Sequence, residues 1–172
     1  MDTTPPETSP IDQSQLVEAV AKMRQQQNLF LSILAGFGAA ILAAIIWAVL
    51  TVSFQYQIGF MAVGIGFAVG FAVRLGKGID KIYGILGAVL SLFGCLLGNF
   101  FALLGFIAKQ ENINVVETLS KINYSKVPDL MISTFSVMDL VFYGIAVYEG
   151  YKFSFRKISP EDIGIHQPAS TQ

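Results

Sequence analysis

The chain has 172 residues, of which 53% are hydrophobic and only 13% charged, with a mean hydropathy of +0.60. Soluble domains carry roughly 25% charged residues, so about half of the usual polar coat is missing. A net charge of −1 argues against a nucleic-acid binder, which carries a basic surface. One cysteine, Cys95, and one histidine, His166, exclude an intrachain disulfide and a Cys- or His-rich metal centre. No cofactor is expected.

Residues 1–10, MDTTPPETSP, have the Pro- and Thr-rich composition of a disordered tail. Asp2, Glu7, Asp12 and Glu18 stand where a cleavable leader would be basic, so the first apolar run is expected to stay as an anchor. A helix is predicted over 12–28, with Asp12 as N-cap, Gln15 as its capping-box partner and Ile11 stapled to Leu16. Leu16, Val20, Met23 and Gln27 share one face of it, beside Lys22 and Arg24. It reads as a plain extension of the first span, or as an amphipathic anchor lying on the membrane surface.

The first apolar run, 29–52, is free of Asp, Glu, Lys and Arg. At 1.5 Å per residue it covers about 36 Å, more than the ~30 Å hydrocarbon core. Ser53-Phe54-Gln55-Tyr56-Gln57 breaks it, and a second run over 58–74 ends at Arg74. The basic, Gly-rich turn Leu75–Lys81 leads to a third run over 82–108. In the polar segment 109–127, Asn114 and Glu117 predict a short surface helix, and Pro128 suits the first turn of a fourth span over 129–149. The organisation expected is a cytoplasmic tail and juxtamembrane helix over 1–28, a four-helix transmembrane domain over 29–150 and a cytoplasmic tail over 151–172. The fold class is all-α, an integral membrane four-transmembrane-helix bundle. The runs lack the polar face of soluble amphipathic helices and are too long for buried strands.

Small residues recur every three or four positions in the third span: Gly84, Gly87, Ser91, Gly94, Gly98, Ala102 and Gly105. Gly59, Ala62, Gly66 and Gly70 repeat the spacing in the second span, and Gly36, Ala40, Ala44 and Ala48 in the first. Lipid is as apolar as leucine, so helices associate in it where small residues let backbones approach. The second and third spans, joined by a tight turn, are expected to form a close hairpin through these glycines. The run Gly66-Phe-Ala-Val-Gly70-Phe-Ala-Val-Arg74-Leu-Gly76-Lys-Gly78 followed by Tyr83-Gly-Ile-Leu-Gly87 resembles a hairpin of small uncharacterised bacterial multi-pass membrane proteins. The resemblance implies a bacterial inner membrane and carries no activity.

Few polar residues break the apolar runs. Arg74, Lys77 and Lys81, with Gly76 and Gly78, are candidates to hold a lipid phosphate, or serve as ordinary positive-inside anchors. Asn99 borders the glycine stripe and suits an interhelical hydrogen bond. Asp139 is placed midway through the fourth span, where a carboxylate costs roughly 2.5–3.5 kcal/mol, so a buried partner is expected for it.

Two functions compete. One is a non-enzymatic accessory or scaffold component packed against other membrane proteins or itself. The other is a small oligomeric transporter or channel using Asp139, with Asn99 along the polar path. A membrane enzyme is disfavoured, because Asp129, Asp139 and Glu149 stand about 15 Å apart along a helix and cannot flank one reacting bond.

Orientation follows the distribution of Lys and Arg. Lys22, Arg24, Arg74, Lys77, Lys81, Lys152, Arg156 and Lys157 fall on one side, against Lys109, Lys121 and Lys126 on the other. The excess places both termini and the 75–81 turn in the cytoplasm. Single cysteines at 77 and 121, in a Cys95→Ala background, test this in intact cells. A membrane-impermeant thiol reagent is expected to label 121 and spare 77; the reverse pattern would refute the orientation.

Overall fold

In a bilayer every backbone polar group must be satisfied within the chain, and a helix does so within a single segment. The computed structural model, which describes residues 13–55 and 59–158, contains only helices as regular elements. They are α1 (Gln13–Gln25), α2 (Leu29–Phe54), α3 (Met61–Arg74), α4 (Lys81–Gln110), α5 (Val115–Lys121), a 3-10 turn (Tyr124–Lys126), α6 (Val127–Thr134) and α7 (Val137–Phe153). The expected Asp12 cap, the Tyr56-Gln57 part of the first break and the ends of both tails lie outside the described residues.

Helices α2 and α4 are long and apolar enough to cross a membrane. With 26 and 30 residues they extend about 39 and 45 Å. Helix α3 is apolar but has only 14 residues, about 21 Å. Asn28 caps α2 by accepting from the Leu31 N–H at 2.9 Å, and Gln55 ends it in the left-handed conformation. Asn114 caps α5 as its sequence predicts, accepting from the Val116 N–H at 3.1 Å.

The expected fourth span over 129–149 is two helices. The segment through α6 meets α7 at 98°, and α7 has 17 residues, about 25 Å. The cause is local. The Ser136 hydroxyl accepts from the Met138 N–H, while the Asp139 carboxylate accepts from the Ser136 N–H at 2.8 Å. This capping box starts a new helix and leaves Phe135 extended.

Helices α2, α3, α4 and α7 pack together. Helix α2 lies against α3 and α4, and α7 against α3 and α4, so α2 and α7 are opposite corners. The glycines fix this arrangement, though with partners the sequence did not indicate. Those of α3 turn to α7 rather than to α4. A Cβ on Gly66 would stand 2.5–3.0 Å from the Ala146 backbone, and one on Gly70 would meet the Phe153 side chain and the carbonyls of Glu149 and Gly150. Gly59, just before α3, faces the Phe142 ring. The stripe on α4 divides. Gly84 and Gly87 take α7 and the residues after it, against Tyr151, Phe155, Gly150 and Ser154. Gly94, Gly98 and Gly105 take α2 and α3, against Ala40 and Ile65, Trp47, and Val52 respectively. The close α3–α4 hairpin is therefore a looser contact than expected, because α7 occupies the glycine face of α3.

The steric surroundings order the substitutions. Gly66→Leu collides with backbone and is expected to cost more than about 3 kcal/mol, or to prevent folding, whereas Gly98→Leu displaces a tryptophan ring edge and should cost about 1–3 kcal/mol. At Gly64 and Gly144 a Cβ would meet nothing within 4 Å, and Ala there should be neutral or slightly stabilising. Thermal unfolding in detergent checks the order; equal loss at 64 and 66 would contradict it.

Candidate functional site

Two clusters of polar side chains stand at different levels of the bundle. The first surrounds the start of α7. Asp139 and Asn99 are 7% and 6% exposed, and Tyr143 is buried between them. Tyr143 bonds the Asn99 side chain and donates from its hydroxyl to the Cys95 carbonyl at 3.4 Å. Cys95 in turn points its thiol at the Ala62 carbonyl, 3.9 Å away. The fold thus brings together the two intramembrane polar candidates, Asp139 and Asn99, through Tyr143. The sequence pattern does not single out that tyrosine; its one signal is that it stands four residues, one helical turn, after Asp139.

Asp139 does not sit at mid-helix. It is in the first turn of α7, where one carboxylate oxygen is engaged by the Ser136 N–H. The helix dipole favours a negative charge there. The other oxygen faces Gly59, 3.4 Å from where a Cβ would stand. In place of the buried partner expected, Asp139 has the backbone N–H of Ser136, the exposed cap of its own helix.

The second level is the turn between α3 and α4. Here a polar knot ties three distant parts of the chain. Asn28 donates its N–H to the Gly76 carbonyl at 2.9 Å, and the Ser32 hydroxyl donates to the Val73 carbonyl at 2.8 Å. Gln27 donates its amide to Asp80 at 2.9 Å and accepts from the Ile79 N–H at 3.2 Å. Arg24 pairs with Asp80 at 3.1 Å. From the other end of the sequence, Arg156 donates its N–H to the Gly78 carbonyl at 2.8 Å and its guanidinium to Gln26 at 3.0 Å. Lys77 adopts the left-handed conformation, φ 56°, that turns the chain.

The knot bears on the phosphate candidates. Gly76 and Lys77 give their N–H groups to Val73 and Arg74, and Ile79 gives its own to Gln27. Three backbone donors of a phosphate nest are thereby committed. What Arg74, Lys77 and Lys81 offer a headgroup is their side-chain charge, with Lys77 and Lys81 exposed.

Four further buried polar atoms have no hydrogen bond among the described residues: one carboxylate oxygen of Glu149, the hydroxyls of Thr51 and Ser91, and the indole N–H of Trp47, which packs on Gly98. A cleft of about 430 Å³ opens between the C-terminal halves of α2 and α4 and the start of α5, bounded by Ile45, Val49, Phe101 and Val115. Its walls are apolar except for Ser53, so it is not where polar chemistry gathers. No group of three or more metal-ligating side chains is found among the described residues. No protein family, curated protein or solved structure matches the chain.

The cap role of Asp139 has a measurable sign. Asp139→Asn keeps an acceptor for the Ser136 N–H and should stay close to wild-type stability, while Asp139→Leu loses it and should cost about 1 kcal/mol. A Leu variant more stable than wild type in detergent unfolding would show that the carboxylate is a burden rather than a cap.

Proposed function

We propose that the chain is a four-span protein of a bacterial inner membrane, with both ends and the 75–80 turn cytoplasmic. It acts without catalysis, as an accessory or scaffold component. The observation that carries the four-span reading is the polar knot. Asn28, Gly76, Gly78 and Arg156 meet at one end of the bundle, while Phe54 and Gln110 end the long helices α2 and α4 that lead away from it. If α2 and α4 cross the bilayer, the chain must return across it twice, through α3 and through α7. The returning helices are shorter than a ~30 Å core. The elbow before α7 extends one of the crossings, and Phe54 and Phe60, at the facing ends of α2 and α3, expose their rings as interfacial aromatics do.

The scaffold reading rests on what the interior polar groups do. Ser32, Cys95, Tyr143 and Ser154 each point at a backbone carbonyl of the bundle, and Asp139 at a backbone N–H. Ser32, Cys95 and Tyr143 thereby tie one helix to another, while Ser154 and Asp139 bond within the segment of α7. At Gly66 and Gly87 the backbones of α3 and α4 come so close to α7 that no room is left for a path between them. The transporter alternative needs Asp139 to exchange a proton or ion, and the capping role already occupies one of its oxygens.

Reconstitution into liposomes separates the two. Under an imposed pH gradient, wild type and Asp139→Asn should be equally inactive, and mild solubilisation should recover the protein with a constant partner or as a stable complex of itself. Proton flux in wild type that disappears in Asp139→Asn would replace the scaffold with the transporter.

A further inference from the structure

Helix α1 packs against no other helix among the described elements. It is held through Arg24, Gln26 and Gln27, near its C-terminal end, to the polar knot. Of its apolar residues only Met23 is buried, at 3% exposure. Val17 is 70% exposed and Val20 39%. At 100° per residue, Leu16, Val20, Arg24, Val17 and Ala21 spread over an arc of about 140°, and the same five line one shallow apolar depression. Glu18 and Lys22 stand on the far side of the helix, and both are exposed. An isolated helix of 13 residues is marginal in water, and one with an uncovered apolar face gains its stability from whatever covers that face.

The position of α1 says what that is. After a three-residue linker, α2 begins with Leu29, Phe30, Leu31, Ile33 and Leu34 exposed, which is the outward surface of the longest uncharged run in the chain. The apolar arc of α1 is therefore tethered within a few residues of the point where this outward surface starts. The exposed cations Lys22, Lys77 and Lys81 lie at the same end. An uncovered apolar face held next to the start of such a surface, beside cations, fits the boundary between headgroups and acyl chains.

We propose that α1 lies along the cytoplasmic membrane surface, with Val17, Val20 and Ala21 inserted at the headgroup–acyl boundary and Glu18 and Lys22 in water. The proposal rests on the membrane-spanning reading of α2. The helix then acts as a lipid-held strut. Through the Arg24–Asp80 pair and the Gln27 bonds it fixes the α3–α4 turn to the bilayer plane.

Spin labels test this in the full-length protein, with Cys95 replaced by Ala and reconstituted in phosphatidylcholine–phosphatidylglycerol vesicles. Single cysteines are placed at 17, 20, 18 and 22, with Leu34→Cys as the bilayer control. Collision with oxygen, which concentrates in lipid, is compared with collision with a water-soluble nickel chelate. The expected result is an oxygen-to-nickel ratio several-fold higher at 17 and 20 than at 18 and 22, and a high ratio at 34. Equal ratios at all four α1 sites, or sites 17 and 20 shielded from both reagents as a covering protein would make them, overturn the proposal while 34 stays oxygen-rich. A low ratio at 34 instead overturns the membrane reading on which it stands.

Discussion

Ala146 and Gly150 of α7 lie against backbone: Ala146 on Gly66 of α3, and Gly150 on Gly87 of α4. A side chain at either glycine would occupy space already filled. In lipid, where burying an apolar side chain between helices gains little over leaving it in acyl chains, such close approach is a main source of helix association. The rest of the bundle depends on this seat. Because α7 takes the glycine face of α3 and the first glycines of α4, α2 is left with the later glycines of α4, where Gly94, Gly98 and Gly105 accept Ala40, Trp47 and Val52. One stripe of small residues thus serves two partners in succession along α4.

Polar groups refine this packing rather than drive it. A hydroxyl or thiol on a carbonyl within the bundle adds a bond worth on the order of 1 kcal/mol in a membrane. The knot at the turn end is different in kind. Its bonds join residues as far apart as Gln26 and Arg156, so the two ends of the described chain and the central turn hold one another. Loss of a single bond there should be felt by all three segments, since each is anchored through the other two.

Much of this was legible in the residues. The runs 29–52 and 82–108 became α2 and α4 within two residues at each end, because a long stretch without charge has no competing reading. The Asn114 cap was legible for the same reason that caps usually are: a short polar side chain three residues before Glu, ahead of apolar spacing. The elbow at Phe135–Ser136 was not. Averaged over 129–149, the hydropathy resembles that of a span, and the average hides Ser136-Val-Met-Asp139, a capping-box pattern in plain view. Reading Asp139 as a costly mid-membrane charge followed from that omission. The choice of helix partners was hidden for a further reason. Spacing reveals which face of a helix is small, but not which neighbour reaches it, and proximity in sequence pointed to α4 where α7 lies. Trp47 gave no signal in sequence, since the glycine it packs on belongs to another helix.

The seating of α7 on α3 is the central claim, and the aromatic rings beside it offer a direct measurement. Phe153 of α7 stacks on Phe67 and Phe71 of α3 with ring centres 4.9 and 5.2 Å apart, while Phe37 of α2 stacks on Phe93 of α4 at 5.5 Å. Cysteine pairs at 67 and 153, and at 37 and 93 for comparison, would be placed in native membranes without Cys95 and treated with a short bifunctional thiol reagent. The account predicts intramolecular cross-linking of both pairs. Cross-linking of 37 with 93 but not of 67 with 153 would contradict it.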